Sequence, residues 1–92
     1  MKTLHIEVFG VVQGVSFRAF TQTIAQKLGV CGIVRNTFHG SVDILATANS
    51  GILSEFVTQL KIGPPSSKVA AVQATEISVT HFKGFSLGTA IK

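Results

Sequence analysis

Apolar and polar residues follow two different periods along the chain, one typical of strands and one typical of helices. Near the start, apolar residues occupy every second position, which predicts a half-buried strand. The alternating residues are Leu4, Ile6 and Val8. From Phe17 to Leu28 apolar residues recur at spacings of three and four, which predicts one face of a helix ended by Gly29. The chain is therefore expected to begin with a strand, a loop over residues 10–17 and a helix.

The rest of the chain repeats this change of period. A turn containing glycine is predicted at residues 37–41, between two strands. A second helix follows, which Asn49 or Ser50 can cap and which Gly63-Pro64 ends. The later strands are predicted over residues 30–36, 42–48 and 69–79, with a short fifth strand at the sheet edge over residues 85–87.

The order of elements is β-α-β-β-α-β, the ferredoxin-like plan of the α+β class. It predicts a sandwich in which two helices cover one face of an antiparallel sheet of four to five strands. The first and second strands run in the same direction in that plan. Gly10 and Asn36 then lie at the same end of the sheet, so the loop after the first strand adjoins the turn after the second.

Length and composition narrow the class of protein. Ninety-two residues, 46% of them hydrophobic, correspond to one folded domain over residues 1–92 rather than a disordered chain. The chain has no apolar run long enough for a membrane-spanning helix and no secretory leader at its start. A single cysteine, Cys31, cannot form an internal disulfide. We therefore expect a cytoplasmic protein that does not bind membranes.

Charge indicates the kind of partner. Eight Lys and Arg residues against four Asp and Glu give a net charge of +4 and a pI near 9.7. This balance favours an anionic partner. The basic residues are scattered along the sequence rather than clustered, so the charge alone leaves a phosphate metabolite and a nucleic acid both open.

The loop between the first strand and the first helix has the features of an anion site. Backbone N–H groups at a helix N-terminus lack helical partners, and the helix dipole adds partial positive charge. Gly10 and Gly14 allow the tight curl that turns such groups inward as a nest. Arg18 adds a planar cation suited to two parallel hydrogen bonds with a phosphate. With Asn36 at the same sheet end, the loop predicts a functional anion site.

Other kinds of catalytic site do not fit the spacing of the residues. The chain has no Gly-Lys-Ser/Thr string, and Arg18 stands where a serine-hydrolase turn needs glycine. The histidines are too far apart in sequence for metal-ligand spacing, at positions 5, 39 and 81. The acidic residues fall one per element, which predicts no carboxylate pair: Glu7, Asp43, Glu55 and Glu76. An enzyme of this kind would act on an already reactive bond, by binding charge and placing water.

Two segments carry a resemblance to a known family. Residues 10–18 and residues 32–42 resemble the first and second signatures of the acylphosphatases. Gly63-Pro64-Pro65 and Gly84-Phe85 are similar to later parts of that family, so the likeness runs over nearly the whole chain. Ile33 and Ala48 depart from the family's usual residues, at positions that bear on packing rather than on chemistry.

The resemblance implies hydrolysis of the carboxyl–phosphate bond of a small acyl phosphate, without metal or cofactor, to a carboxylate and inorganic phosphate. It implies that Arg18 binds the phosphoryl group and that Asn36 orients the attacking water. The residues whose backbone N–H groups it assigns to the phosphate are Val12, Gln13, Gly14, Val15, Ser16 and Phe17. Arg35, next to Asn36, is expected on the opposite side of its strand. We expect a monomer that does not bind nucleic acid.

Two other readings of the ferredoxin-like plan stay open. RNA-recognition domains use this plan and stack bases on exposed aromatic side chains, and Lys83-Gly84-Phe85 is similar to part of their motif. The second alternative is a non-hydrolytic module, since a similar domain begins the hydrogenase-maturation carbamoyltransferases. This chain, however, is expected to be complete without partner domains. Release of phosphate from an acyl phosphate separates these readings.

Overall fold

The structure, a computed structural model, describes residues 1–91 as a five-stranded sheet with two helices, in strand order β4-β1-β3-β2-β5. This arrangement confirms the ferredoxin-like α+β fold. Strand β1 runs antiparallel to both of its neighbours, β3 and β4, and β3 also pairs antiparallel with β2. The elements are β1 (Lys2–Val11), α1 (Phe17–Leu28), β2 (Cys31–Asn36), β3 (Val42–Ala48), α2 (Ser50–Ile62), β4 (Lys68–Ile77) and β5 (Phe85–Leu87).

One hydrophobic core lies between the helices and one face of the sheet. Phe17 of α1 and Phe56 of α2 are fully buried in it together with Ile6 and Ile44 of the central strands. Full burial of a large apolar side chain contributes about 1.5–3 kcal/mol. Because Phe17 is the first residue of α1, its burial anchors the helix N-terminus and the loop that precedes it.

The helices begin and end at the residues that the sequence indicates. Gly29 ends α1 with a left-handed φ of 77°, and Gly63 ends α2 with a φ of 68°. Of the two predicted caps for α2, the structure uses Asn49, whose side chain accepts a hydrogen bond from the backbone N–H of Ile52 at 2.9 Å. Neither helix among the described residues is long and apolar enough to cross a membrane.

Strand β1 is longer than predicted, because Gly10 and Val11 continue it instead of opening the loop. A β-bulge between Phe9 and Gly10 shifts the register against β4 and keeps the strands paired beyond it. Gly10 has a φ of 131°, and a Cβ there would lie 2.0 Å from the carbonyl oxygen of Lys68. Only glycine fits this close approach of the two strands. Because β1 continues to Val11 and α1 begins at Phe17, the loop between them consists of residues 12–16.

The sheet is mixed rather than wholly antiparallel, because β5 pairs with β2 in the parallel direction. The cause is the path of the chain after β4, which ends at Ile77, two residues before the predicted end. The backbone N–H of Thr80 then donates to Thr3 Oγ1 at 2.8 Å, and its carbonyl accepts from Thr47 Oγ1 at 2.6 Å. These bonds hold the chain at the sheet end where β2 begins, so β5 starts there and runs beside β2.

Candidate active site

The loop before α1 has the backbone geometry of an anion-binding nest. Gly14 has a φ of 72° and Ser16 a φ of 63°, while Gln13 and Val15 have ordinary negative φ values. Left-handed residues placed among residues of negative φ can turn successive backbone N–H groups toward one side of the chain. Ser16 is the sole non-glycine residue with positive φ among residues 1–91, a conformation that costs such a residue about 1–2 kcal/mol. The strain is concentrated in the segment that the sequence assigns to phosphate.

The polar groups of this loop are available to a ligand. Among residues 1–91, the backbone N–H groups of residues 13–16 donate no hydrogen bond. Ser16 is the N-cap of α1, but its side chain makes no capping bond and the first turn holds no acidic residue. The positive end of the helix dipole therefore faces the loop without a protein anion to neutralise it.

Arg18 and Asn36 line the same small cavity as this loop. Its volume is about 180 Å³, and it is lined by Val12, Gly14, Ser16, Phe17, Arg18, Ala19, Asn36 and Leu87. The Arg18 side chain has one hydrogen bond, a long one of 3.4 Å from Nη1 to the carbonyl of Gly88, and forms no ion pair within residues 1–91. Its guanidinium thus keeps donors free to bind an anion.

The Asn36 carboxamide is held in the cavity wall with its oxygen unused. Oδ1 is buried and has no hydrogen-bond partner within the described part of the chain. The backbone of Asn36 is fixed from both sides, since it pairs with Val42 of β3 and its carbonyl accepts from the N–H of Ile91 at 2.9 Å. Because Asn36 lines the cavity, its carboxamide is placed to bind a water molecule there.

Two residues of the predicted phosphate loop do not line the cavity with their side chains. Val15 packs against the hydrophobic core, and its carbonyl accepts from Ser66 Oγ at 3.2 Å. The Gln13 side chain turns away toward the β2–β3 turn, where Nε2 donates to the carbonyls of Thr37 and Ser41, both at 2.7 Å. The loop is therefore joined to the turn that follows Asn36.

The turn itself is stabilised by the hydroxyl groups of Thr37 and Ser41. Thr37 Oγ1 and Ser41 Oγ lie 2.7 Å apart, and the backbone N–H groups of His39 and Ser41 both donate to Thr37 Oγ1 at 3.2 Å. Ser41 Oγ also donates to Glu7 Oε2 at 2.5 Å. The pattern of hydroxyl residues four positions apart around Gly40 was a usable signal for such a turn.

A second cavity, of about 530 Å³, is a groove on the helix-free face of the sheet and is distinct from the site. Its charged groups mainly bind one another: Asp43 contacts His5 at 2.5 Å and Arg35 at 3.6 Å. Arg35 thus lies on the opposite side of β2 from Asn36, as expected. Glu7 and Asp43 sit directly opposite each other on β1 and β3, a carboxylate pair that the sequence analysis did not predict. Both carboxylates already have protein partners.

Two further observations bear on the alternatives. Phe85, the aromatic residue of the RNA-recognition-like motif, is 6% exposed and packs edge-on against Phe56 with ring centroids 6.0 Å apart. It is not placed to stack a base. Within residues 1–91, no three His, Cys, Asp or Glu side chains come close enough together to hold a metal ion.

Comparisons with known proteins agree on one family. The acylphosphatase family model matches residues 4–87. An acylphosphatase of Ligilactobacillus salivarius is 44% identical over 88 residues, which are 95% of this chain and 98% of that protein. The crystal structure of acylphosphatase from Bacillus subtilis superposes with a TM-score of 0.93 and 40% identity, covering 96% of this chain and 99% of that one.

A longer protein contains a similar unit. Full-length HypF, in a phosphate- and nucleotide-bound form, matches with a TM-score of 0.89 and 35% identity over 98% of this chain but 12% of its own length. The relatives that match along their whole length are acylphosphatases. The chain therefore belongs to the acylphosphatase family, the hydrolases that cleave the carboxyl–phosphate bond of acyl phosphates.

Proposed function

We propose that this chain hydrolyses small acyl phosphates by holding the phosphoryl group in the loop of residues 12–17 with Arg18, while Asn36 aligns the attacking water. No metal ion or cofactor takes part. The observation that carries the proposal is the meeting, around one cavity, of three features: backbone N–H groups, an arginine and a buried carboxamide oxygen that have no hydrogen-bond acceptor, no ion pair and no donor, respectively, among residues 1–91.

The loop and Arg18 bind the phosphoryl oxygens. Free N–H groups at the α1 N-terminus donate to these oxygens, and the helix dipole stabilises their charge. Arg18 adds two parallel charge-assisted hydrogen bonds. The donors are held in place before the substrate arrives, by the burial of Phe17 and by the backbone of α1. This arrangement stabilises negative charge that is redistributed over the phosphoryl group in a loose transition state.

Asn36 places the water opposite the leaving oxygen. Its Oδ1 accepts a hydrogen bond from the water and directs a lone pair of the water oxygen toward phosphorus. The carboxylate of an acyl phosphate is a good leaving group, so its departure requires little protonation. Alignment of this kind can be worth roughly 7 kcal/mol or more of the barrier.

The proton of the water goes to the substrate. No Asp, Glu or His of residues 1–91 lines the cavity, so this part of the chain offers no general base at the reacting atoms. A nonbridging phosphoryl oxygen of the substrate accepts the proton as the P–O bond to water forms and the P–O bond to the carboxylate breaks. The products are inorganic phosphate and the carboxylate.

Phosphate release from benzoyl phosphate and acetyl phosphate tests this function. We expect turnover of both, with competitive inhibition by inorganic phosphate, since the loop binds the group that the substrates share. Binding of phosphate without turnover would contradict hydrolysis and favour a non-hydrolytic module. Salt-dependent binding of an oligonucleotide without turnover would instead revive the RNA-binding reading.

A further inference from the structure

The side chain of Gln13 connects the two halves of the site. Its Nε2 uses both of its hydrogens, donating to the carbonyl of Thr37 and to the carbonyl of Ser41, each at 2.7 Å. Gln13 belongs to the loop that carries the free N–H groups, and Thr37 directly follows Asn36. The two carbonyls are the two ends of the β2–β3 turn, which the carboxamide bridges.

No other hydrogen bond within residues 1–91 joins the loop of residues 12–16 to residues 36–41. The pairing of β1 with β3 ends at Val8 opposite Val42, so it includes neither the loop nor residues 36–41. Within residues 1–91, Asn36 Oδ1 has no hydrogen-bond partner, and the other side-chain hydrogen bond to the loop comes from Ser66, which follows α2 in the sequence. Core packing of Phe17 anchors the loop as a whole, and Gln13 supplies the direct hydrogen-bonded link between the loop and the turn that follows Asn36.

We propose that the Gln13 side chain is a positioning residue for the reaction: it sets the distance and angle between the bound phosphoryl group and the water held by Asn36. This inference rests on the proposed function. Its backbone N–H belongs to the phosphate-binding loop, whereas its side chain acts through Asn36 and touches neither substrate nor water.

Kinetics distinguish this role from plain structural support. Loss of the two Gln13 hydrogen bonds leaves the backbone nest of the loop and Arg18 of α1 in place, so affinity for inorganic phosphate is retained. The water and the phosphorus atom are no longer aligned, so kcat falls. A displacement of about 1 Å in a near-attack geometry costs up to a hundredfold in rate.

The test is Gln13→Met, which keeps the length of the side chain and removes both donors. We expect kcat for benzoyl phosphate to fall about ten- to a hundredfold, with the inhibition constant of inorganic phosphate changed by less than about twofold. The matched control is Gln22→Met. Gln22 Nε2 also donates to a backbone carbonyl, that of Phe85 at 3.0 Å, but this bond joins α1 to β5 away from the turn. The kcat of Gln22→Met is expected to stay near that of the unmodified protein.

A double-mutant cycle with Asn36→Ala identifies the route of the effect. If Gln13 acts through Asn36, Gln13→Met has little further effect on kcat once the Asn36 side chain is gone. Additive losses would overturn the proposal, as would a normal kcat in a folded Gln13→Met protein. Should that variant fail to fold, Gln13→Asn keeps the donors on a shorter arm that cannot span both carbonyls, and the same kcat loss is expected.

The outcomes separate this inference from the proposed function. A folded Asn36→Ala protein with near-normal kcat would remove the water-positioning role itself. A large kcat loss in Asn36→Ala, together with normal kcat in Gln13→Met and Gln13→Asn, would leave that role standing and overturn the positioning role of Gln13 alone.

Discussion

Arg18 and Asn36 line one cavity but present opposite chemistry to it, a cation with free donors and a neutral carboxamide with a free acceptor. In the proposed mechanism Arg18 binds phosphate in the ground state and more strongly as charge rearranges, whereas Asn36 binds the water. The two side chains therefore affect different kinetic constants, and their substitution separates binding from catalysis.

We expect Arg18→Ala to weaken inhibition by phosphate and lower kcat together, whereas Asn36→Ala lowers kcat about a hundred- to a thousandfold and leaves phosphate inhibition nearly unchanged. Arg35→Ala is the control. Arg35 adjoins Asn36 in sequence but contacts Asp43 on the helix-free face, so its loss should leave kcat near normal. Steady-state kinetics with phosphate as inhibitor, and circular dichroism of each variant, give the answer. Equal kinetic effects of Arg18→Ala and Asn36→Ala would contradict the division of roles.

Gly14 offers a second test at the residue scale. A side chain at its φ of 72° is strained, and Gly14 lines the cavity proposed to bind the phosphoryl group. Gly14→Val is expected to remain folded but to lose measurable phosphate binding. Gly84→Val has nearly the same strain, with a φ of 70° and equally open space around its Cβ, but lies away from the site. Calorimetric titration with phosphate should show binding for Gly84→Val only. If Gly14→Val bound phosphate normally, the nest would lie elsewhere.

At the scale of the elements, the N-terminus of α1 combines a stability defect with a function. It has no capping bond and no acidic residue, whereas Asn49 caps α2. A helix end left open in this way is less stable than one with a side-chain cap. The defect keeps the N–H groups and the positive end of the dipole available to an anion.

An acidic residue at this helix end should therefore stabilise the fold and impair the site. We expect Ser16→Asp to raise the free energy of unfolding by about 0.3–1 kcal/mol, because a carboxylate at a helix N-terminus interacts favourably with the helix dipole. We also expect weaker inhibition by phosphate, because the carboxylate would occupy the proposed phosphate site and repel the anion. Ser50→Asp, at the start of α2, should give a similar gain in stability with unchanged inhibition. Urea denaturation and inhibition assays measure the two effects. Tighter phosphate binding by Ser16→Asp would contradict the proposed anion site.

The architecture of the sheet explains why these groups meet. β1 and β2 both run antiparallel to β3, so they are parallel to each other and end at the same side of the molecule. The loop after β1 and the turn after β2 become neighbours for that reason. Residues 88–91, which follow β5, also lie at this side of the molecule. The backbone N–H groups of Gly88 and Ile91 donate to the carbonyls of Val34 and Asn36 at 2.9 Å each.

At the scale of the whole molecule, catalysis is expected to be independent of divalent cations. The donors proposed to stabilise the phosphoryl group come from the backbone and from Arg18, and residues 1–91 bring together no metal-ligand cluster. We expect kcat for benzoyl phosphate to be unchanged after dialysis against EDTA. A loss of turnover restored by Mg²⁺ or Zn²⁺ would overturn the assignment of the site. Thermal unfolding with and without EDTA controls for a structural effect of the chelator.

Much of the site was predictable from local sequence. The strand-to-helix change at Phe17, the glycines of the loop, Arg18 and Asn36 are properties of short segments, and the family motifs cover those same segments. The opposite orientation of Arg35 and Asn36 follows from strand alternation alone. The longer β1 was not predictable, because its bulge at Gly10 depends on β4, which is distant in the sequence.

The sequence by itself determined the order of the elements, the face of each strand and the location of the loop between β1 and α1, because periodicity and turn residues act over a few neighbouring positions. Only the tertiary structure decided the parallel direction of β5, the opposition of Glu7 and Asp43, and the bridge from Gln13 to the β2–β3 turn. Alternation assigns a side chain to a face but not to a partner. Partners depend on strand register and on the path of the connections, which are settled when distant segments pack together.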